Sequence, residues 1–177
     1  MDVTIGPPGP ADTEEFVAAA RASRALHRPW LFPPDTPETF AEYLDRAARE
    51  DYAAYLIRDT GSGRLVGFVN VTQIVRGALQ SAFAGYGAFA GHEGRGLMTQ
   101  GLAAVLGEAF GSLRLHRVEA SIQPGNARSI ALVQRLGFEK EGFSPRYLLV
   151  DGAWRDHERW AIRAETWYAA GGGARWS

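Results

Sequence analysis

The segment Glu93-Gly94-Arg95-Gly96-Leu97-Met98 constrains this chain more than any other. A strand-like run from Ser81 to Phe89 precedes it. Met98, Leu102, Val105, Leu106, Ala109 and Phe110 follow at helical spacing. A strand must therefore pass into a helix through glycines. Such a turn aims free backbone N–H groups at one spot, and the positive end of the helix dipole adds to them. This makes an anion site suited to a pyrophosphate. Three readings compete. The turn can be a plain tight turn using glycine for left-handed angles. A nucleotide P-loop would end in Gly-Lys-Ser/Thr, which is not present. A dinucleotide fingerprint wants a small residue where Thr99 stands and an acidic residue about twenty positions on, at a strand end. Glu119 is in that neighbourhood but inside a predicted strand.

Around this segment the elements read in a definite order. Val3 to Ile5 is a short strand. Asp12-Thr13-Glu14-Glu15 starts a helix running to about Ala25, with Asp12 as cap and Glu15 reaching back. Arg28-Pro29-Trp30-Leu31-Phe32-Pro33-Pro34 is an aromatic loop stiffened by prolines. Thr36-Pro37-Glu38 opens a second helix with Phe40, Tyr43, Leu44 and Ala47 on one face. Tyr52 to Arg58 and Leu65 to Val75 are strands joined at Gly61-Ser62-Gly63. The strand from Ser81 carries Gly85 and Gly87, which weaken it but admit a close neighbour. Arg117 to Ile122 is a strand, and Pro124-Gly125-Asn126 opens a helix with Ile130, Val133 and Leu136 inward and Gly137 at its end. Phe143 to Val150 and Trp154 to Ile162 form a closing hairpin on Asp151-Gly152. This order predicts one mixed α/β domain over residues 1–165, with 166–177 as a flexible tail.

Composition narrows the function. With 177 residues and 46% hydrophobic side chains the chain can build one core, and a net charge of -1 argues against gripping nucleic acid by bulk positive charge. There is no cysteine, hence no disulfide and no thiolate nucleophile or metal ligand. His27, His92, His116 and His157 are too scattered to suggest a metal site. The start, MDVTIGPPGP, lacks the basic and apolar runs of a signal peptide, and no apolar stretch is long enough for a membrane span. A cytoplasmic protein with no metal and no membrane or nucleic-acid partner, monomeric or homodimeric, is expected.

A second chemistry-bearing segment runs from Glu119 to Ser129. It puts a carboxylate on a strand and then Asn126 and Ser129 at a helix start. Each residue also has an ordinary explanation: a solvated strand position, a helix cap and a first-turn polar residue. Trp30, Phe32 and Tyr86 could line a peptide groove, or serve as core and hinge packing.

Taken together, Gly85 to Ile162 resembles the GNAT superfamily of acetyltransferases, and more closely the RimJ/RimL-type ribosomal-protein alanine and serine N-acetyltransferases. The resemblance rests on Glu93 to Met98, on Asn126-Ala127-Arg128-Ser129, on Leu136-Gly137-Phe138 with Glu141-Gly142, and on Tyr147 to His157. Arg28-Pro29-Trp30 extends it to the aromatic loop. It implies a GNAT-like domain with a mostly antiparallel twisted sheet, flanking helices and a C-terminal hairpin. It implies acetyl-CoA as co-substrate and a primary amine as acceptor, a protein N-terminus foremost and a small amine as the alternative; a non-catalytic acyl-CoA-binding module is the rival outside enzymes. It places Gly94, Arg95, Gly96, Leu97 and Met98 at the pyrophosphate, and Ala88, Phe89, Asn126 and Ser129 along the pantetheine arm. It also places Glu119 as general base, directly or through water, and Ser129 or Tyr147 as the donor to the leaving thiolate. Glu93 departs from the usual Gln or Arg and is expected to point into solvent. Arg146 stands where some relatives carry a carboxylate before the tyrosine.

Overall fold

The computed structural model of the chain describes residues 1–172. Its elements follow the predicted order. The first half runs β1 (Val3–Gly6), a 3-10 turn (Pro10–Asp12), α1 (Thr13–Ala22), α2 (Arg24–His27), α3 (Pro37–Ala47), β2 (Tyr52–Asp59) and β3 (Leu65–Val75). The second half runs β4 (Ser81–Ala88), α4 (Leu97–Phe110), β5 (Arg117–Ile122), α5 (Ala127–Arg135), β6 (Glu139–Val150), β7 (Ala153–Arg163) and α6 (Ala164–Ala169). All strands join one seven-stranded sheet in the order β1-β2-β3-β4-β5-β7-β6. Every neighbouring pair is antiparallel except β4 and β5. The result is a mixed α/β single domain.

Alternation along the strands sorts their side chains onto two faces. Ile57, Val69, Val71, Ala82, Val118, Ala120 and Ile122 bury one face against α4 and α5. Ala54, Leu56, Leu65 and Phe68 bury the other against α1 and α3, where Phe16 meets Phe40 at 4.8 Å and Phe89 edge-on at 5.2 Å between ring centroids. This aromatic cluster stops at β3 and the end of β4. Gly85, Glu119 and Ser121, on the same face further along, remain open to the outside.

Thr36 caps α3 as expected, accepting from the Thr39 N–H at 3.2 Å. Asp12 does not cap α1. Its carboxylate accepts from the Gly9 N–H at 2.7 Å and from Arg58 at 2.6 Å, while Glu15 accepts from the Leu65 N–H at 3.0 Å and from Arg58 at 2.7 Å. The charged guanidinium of β2 draws both carboxylates away from the helix end, because ionic hydrogen bonds are stronger than neutral caps. The folded unit also runs past residue 165. Trp167 in α6 is buried 6.3 Å from the Phe110 ring, and residues 173–177 of the expected tail lie outside the described residues.

Two packing features hold the region around the glycine turn. A Cβ on Gly67 in β3 would collide with the Gly87 carbonyl oxygen and the Met98 sulfur, so β3 and α4 approach at a distance only glycine permits. His27, buried at the end of α2, donates from Nε2 to the Ala88 carbonyl at 2.7 Å, tying α2 to the last residue of β4. Its Nδ1 is sealed without a partner. Gly67→Ala is expected to cost about 1–3 kcal/mol, because backbone and a packed sulfur must both shift. In thermal melts this lowers Tm by about 2–4 °C per kcal/mol for a domain of this size. Burial lowers the His27 pKa from its ordinary 6.5, the Ala88 hydrogen bond opposing. Below about pH 6.5 the unfolded chain thus takes up a proton that the native ring refuses, and stability falls as pH falls. Melts between pH 7.5 and 5.5 should show this slope, and His27→Gln should flatten it.

Candidate active site

β4 and β5 pair at Ser81↔Arg117, Ala82↔Val118 and Phe83↔Glu119, and the ladder stops there. Beyond it, Ala84 to Tyr86 on one strand and Ala120 to Ile122 on the other line a cavity of about 140 Å³. The cavity runs between the strands. Tyr86 and Ser129 reach it from the α4–α5 face, and Ser121 and His157 from the open face. A gap of this kind exposes backbone groups that a continued sheet would have consumed.

On the α4–α5 face, Asn126 caps α5 by accepting from the Ser129 N–H at 3.2 Å. The cap holds Ser129 at the start of the helix with its hydroxyl 2.6 Å from the Tyr86 hydroxyl. Burial pushes the Tyr86 phenol up to about 12, with the Ser129 hydrogen bond acting the other way. Tyr86 therefore stays protonated at neutral pH. When it donates to Ser129, the serine keeps its own proton for a third group in the cavity. Tyr86, expected to line a peptide groove or to serve as packing, is among the residues lining the aromatic cleft beside the gap. The structure pairs it with Ser129, a contact made across 43 residues of chain.

Next to the gap stands the glycine turn. Gly94 and Gly96 take φ of 74° and 72°, the left-handed region. No side chain caps α4. The N–H groups of Leu97, Met98 and Thr99 find no partner among the described residues, while Gln100 N–H returns to Gly96 at 3.1 Å. The uncapped helix start is thus an open row of donors. A cavity of about 780 Å³ lies over it, lined also by Arg128, Leu132 and Arg135 of α5. These three are spaced i, i+4, i+7, so the helix turns two cations toward the donors. Sequence reading assigned neither arginine a role, although the spacing was visible.

Several expected ligand contacts are modified. The Arg95 guanidinium pairs with Asp59 at 2.9 Å, anchoring the turn to β2, so Arg95 offers the site only its backbone. Leu97 is buried and Met98 packs at Gly67, which likewise leaves their N–H groups as the available atoms. Glu93 is exposed, as expected, but its carboxylate is fastened to the turn, accepting from Gly91 N–H at 2.8 Å. Its own backbone N–H and that of Gly91 hold it below the usual carboxylate range. The Ala88 carbonyl already accepts from His27, and the Phe89 N–H is spent on Val66 at 2.7 Å. The Phe89 side chain belongs to the aromatic core, leaving its carbonyl as the group it can present.

On the open face, Glu119 accepts from Arg117 Nε at 3.0 Å, and Arg117 also holds Glu141 at 2.8 Å. Glu119 shares its face with Ser121, two residues nearer the cavity. Trp30 lines the cavity and packs over Gly125, and Phe32 is exposed under the Arg28 guanidinium at 5.3 Å. Tyr147 stands edge-on to His157, 6.1 Å between ring centres. His157, unassigned from sequence, is buried in the cavity wall.

The comparisons with known proteins agree with this geometry. Residues 2–139 match the family model of the acetyltransferase (GNAT) domain. The probable N-acetyltransferase YjcK of Bacillus subtilis is 39% identical over 68% of this chain and 67% of its own length. The ribosomal protein uS5 alanine N-acetyltransferase of Escherichia coli is 38% identical over 62% of this chain, which spans only 56% of that relative. The structure of Mycobacterium smegmatis RimJ in complex with CoA-disulfide superposes with a TM-score of 0.84 at 31% identity, covering 96% of this chain and 90% of that one. The chain belongs to the GNAT family of N-acetyltransferases.

Proposed function

We propose that this chain moves an acetyl group from acetyl-CoA to the α-amine of a protein N-terminus, of the ribosomal-protein alanine type. The observation that carries the reading is the Tyr86–Ser129 pair at the mouth of the β4–β5 gap, beside an uncapped helix start. Acetyl-CoA supplies an activated carbonyl and a thiolate leaving group. The donors of residues 94–99 and the two arginines of α5 suit its phosphates. The backbone left free along the gap suits its amide-bearing arm, and Ser129 is positioned to give the thiolate a proton.

The acceptor side favours a peptide over a polycation. The adjoining cleft is lined by Leu31, Phe32, Tyr43, Tyr52, Phe68 and Asn70, with Arg46 at its rim. A neighbouring hollow adds Arg24 and Arg28 together with two carboxylates, Asp35, paired to Arg24 at 2.7 Å, and Glu42. Aromatic walls and the arginines Arg24, Arg28 and Arg46 fit an extended backbone with its carbonyls, whereas a polyamine would want carboxylates in excess, and here Asp35 and Glu42 are outnumbered. The relative from Escherichia coli named for acetylating a ribosomal-protein alanine supports the same choice.

A screen with acetyl-CoA against peptides starting with alanine or serine, and against polyamines and free amino acids, tests the reading through thiol release. Peptides are expected to react fastest. Preferential turnover of a small amine would move the acceptor, and CoA binding without turnover of any amine would leave a binding module. Two variants test the cofactor half. Gly96→Val, which forces a branched residue into the left-handed region beside the donors, is expected to weaken CoA at least tenfold, since about 1–2 kcal/mol of strain and lost approach add together. Glu93→Gln removes a carboxylate beside the phosphate site and is expected to tighten CoA, most visibly at low salt. Calorimetric titration reads both.

A further inference from the structure

We propose that His157 is the group that takes the proton from the acceptor amine. This rests on the acetyl-transfer reading above and adds to it a residue for the half of the reaction that Ser129 does not serve.

Three observations carry the proposal. First, His157 is 3% exposed and lies in the wall of the cavity between β4 and β5. Side chains alternate across β7. Trp160 and Ile162 face the core under α4 and α5, so His157 faces the other way, with Ser121. The thioester side, marked by Tyr86 and Ser129, and the imidazole thus meet the same cavity from opposite faces of the sheet. An amine arriving over the open face reaches His157 as it approaches the carbonyl.

Second, the ring's tautomer is set. Nδ1 lies 2.9 Å from the Arg155 carbonyl oxygen, which can only accept. Nδ1 therefore carries hydrogen in both charge states, and Nε2 is the atom that gains and loses the proton. Polar atoms sealed without a partner occur at His27, His92 and Trp167 among the described residues. The His157 Nε2 hydrogen-bonds no described residue and is not among these sealed atoms, and its ring lines the cavity.

Third, the other candidate base is occupied. Glu119 is hydrogen-bonded to Arg117, which also binds Glu141, and Glu119 sits where the β4–β5 ladder is still closed, opposite Phe83. The groups facing His157 are Ser144 across β6, the edge of Tyr147, and Ser121 and Trp30 of the cavity. Charged groups on the same face are Arg155 and Arg159 of β7, the latter lying over Gly142, and the paired Glu119.

The acceptor enters as an ammonium, and Nε2 takes one of its protons. The freed lone pair forms the N–C bond to the acetyl carbonyl, whose π electrons move to oxygen and return as the C–S bond breaks. A second nitrogen-bound proton passes to the leaving sulfur by way of the Ser129 hydroxyl, which gives one proton and regains one. Amide and thiol leave, and the imidazolium releases its proton to water.

The test uses the whole protein with acetyl-CoA and an alanine-starting peptide. His157→Asn keeps an N–H near the Nδ1 position for the Arg155 carbonyl and removes Nε2. It is expected to lower kcat/KM about 100-fold at neutral pH with CoA affinity unchanged, and to show a rate rising steadily with pH as free amine appears. Glu119→Gln is expected to lose much less. The native protein, ¹⁵N-labelled at histidine, should show His157 as the Nδ1–H tautomer at pH 8, a readout that needs no variant. A folded His157→Asn within threefold of native kcat/KM and with the native pH profile overturns the proposal, and so does an Nε2–H tautomer. Absence of transfer by the native protein instead strikes the function reading itself.

Discussion

A parallel strand pair cannot be closed by a hairpin; the chain must cross over the sheet to bring the second strand alongside the first. Here the single parallel pair among the described residues, β4 with β5, is bridged by α4. That crossover starts where β4 ends, so the N-terminus of α4 stands at the same end of the sheet at which the β4–β5 ladder stops. One topological requirement thereby puts an uncapped helix start and a slot between strands next to each other. The glycines at 94 and 96 complete it, since the reversal from strand to helix needs left-handed backbone without a side chain in the way. Gly67 lets the helix sit against the sheet at the distance this demands.

The two faces of the sheet then acquire different tasks. Under α4 and α5 lies the larger core, and from this side Ser129, positioned by the Asn126 cap, meets Tyr86. On the other side α1 and α3 cover β2 and β3 with an aromatic cluster and leave the β4–β5 half open. On the proposed reading, a co-substrate held along one face and an acceptor arriving over the other meet only through the gap. The same reading keeps its acid, Ser129, and its base, His157, apart on opposite faces of the sheet.

Local chemistry made much of this legible in the sequence. Arg117 to Ile122 was read to its ends because it alternates cleanly, and Asp151-Gly152 fixed the last hairpin because few dipeptides accept that turn. The left-handed Gly94 and Gly96 and the Asn126 helix cap are legible for similar reasons. The parts that were not legible depend on partners far along the chain. The Arg95 side chain is held by Asp59, a partner no local pattern reveals, and Asp12, expected to cap a helix, is held by Arg58. Tyr86 finds Ser129 only because α5 packs under β4, and His157 enters the cavity only because β7 pairs with β5. The helix containing Trp167 was hidden by its brevity, six residues after a strand.

The most direct measurement is a crystal structure of the protein with CoA. The pyrophosphate is expected over the N–H groups of residues 94–99 with Arg128 or Arg135 beside it. The pantetheine arm is expected in the gap beyond Phe83 and Glu119, with the sulfur within hydrogen-bonding reach of the Ser129 hydroxyl. CoA seated elsewhere, or with β4 and β5 closed and Ser129 out of reach of the sulfur, would contradict it.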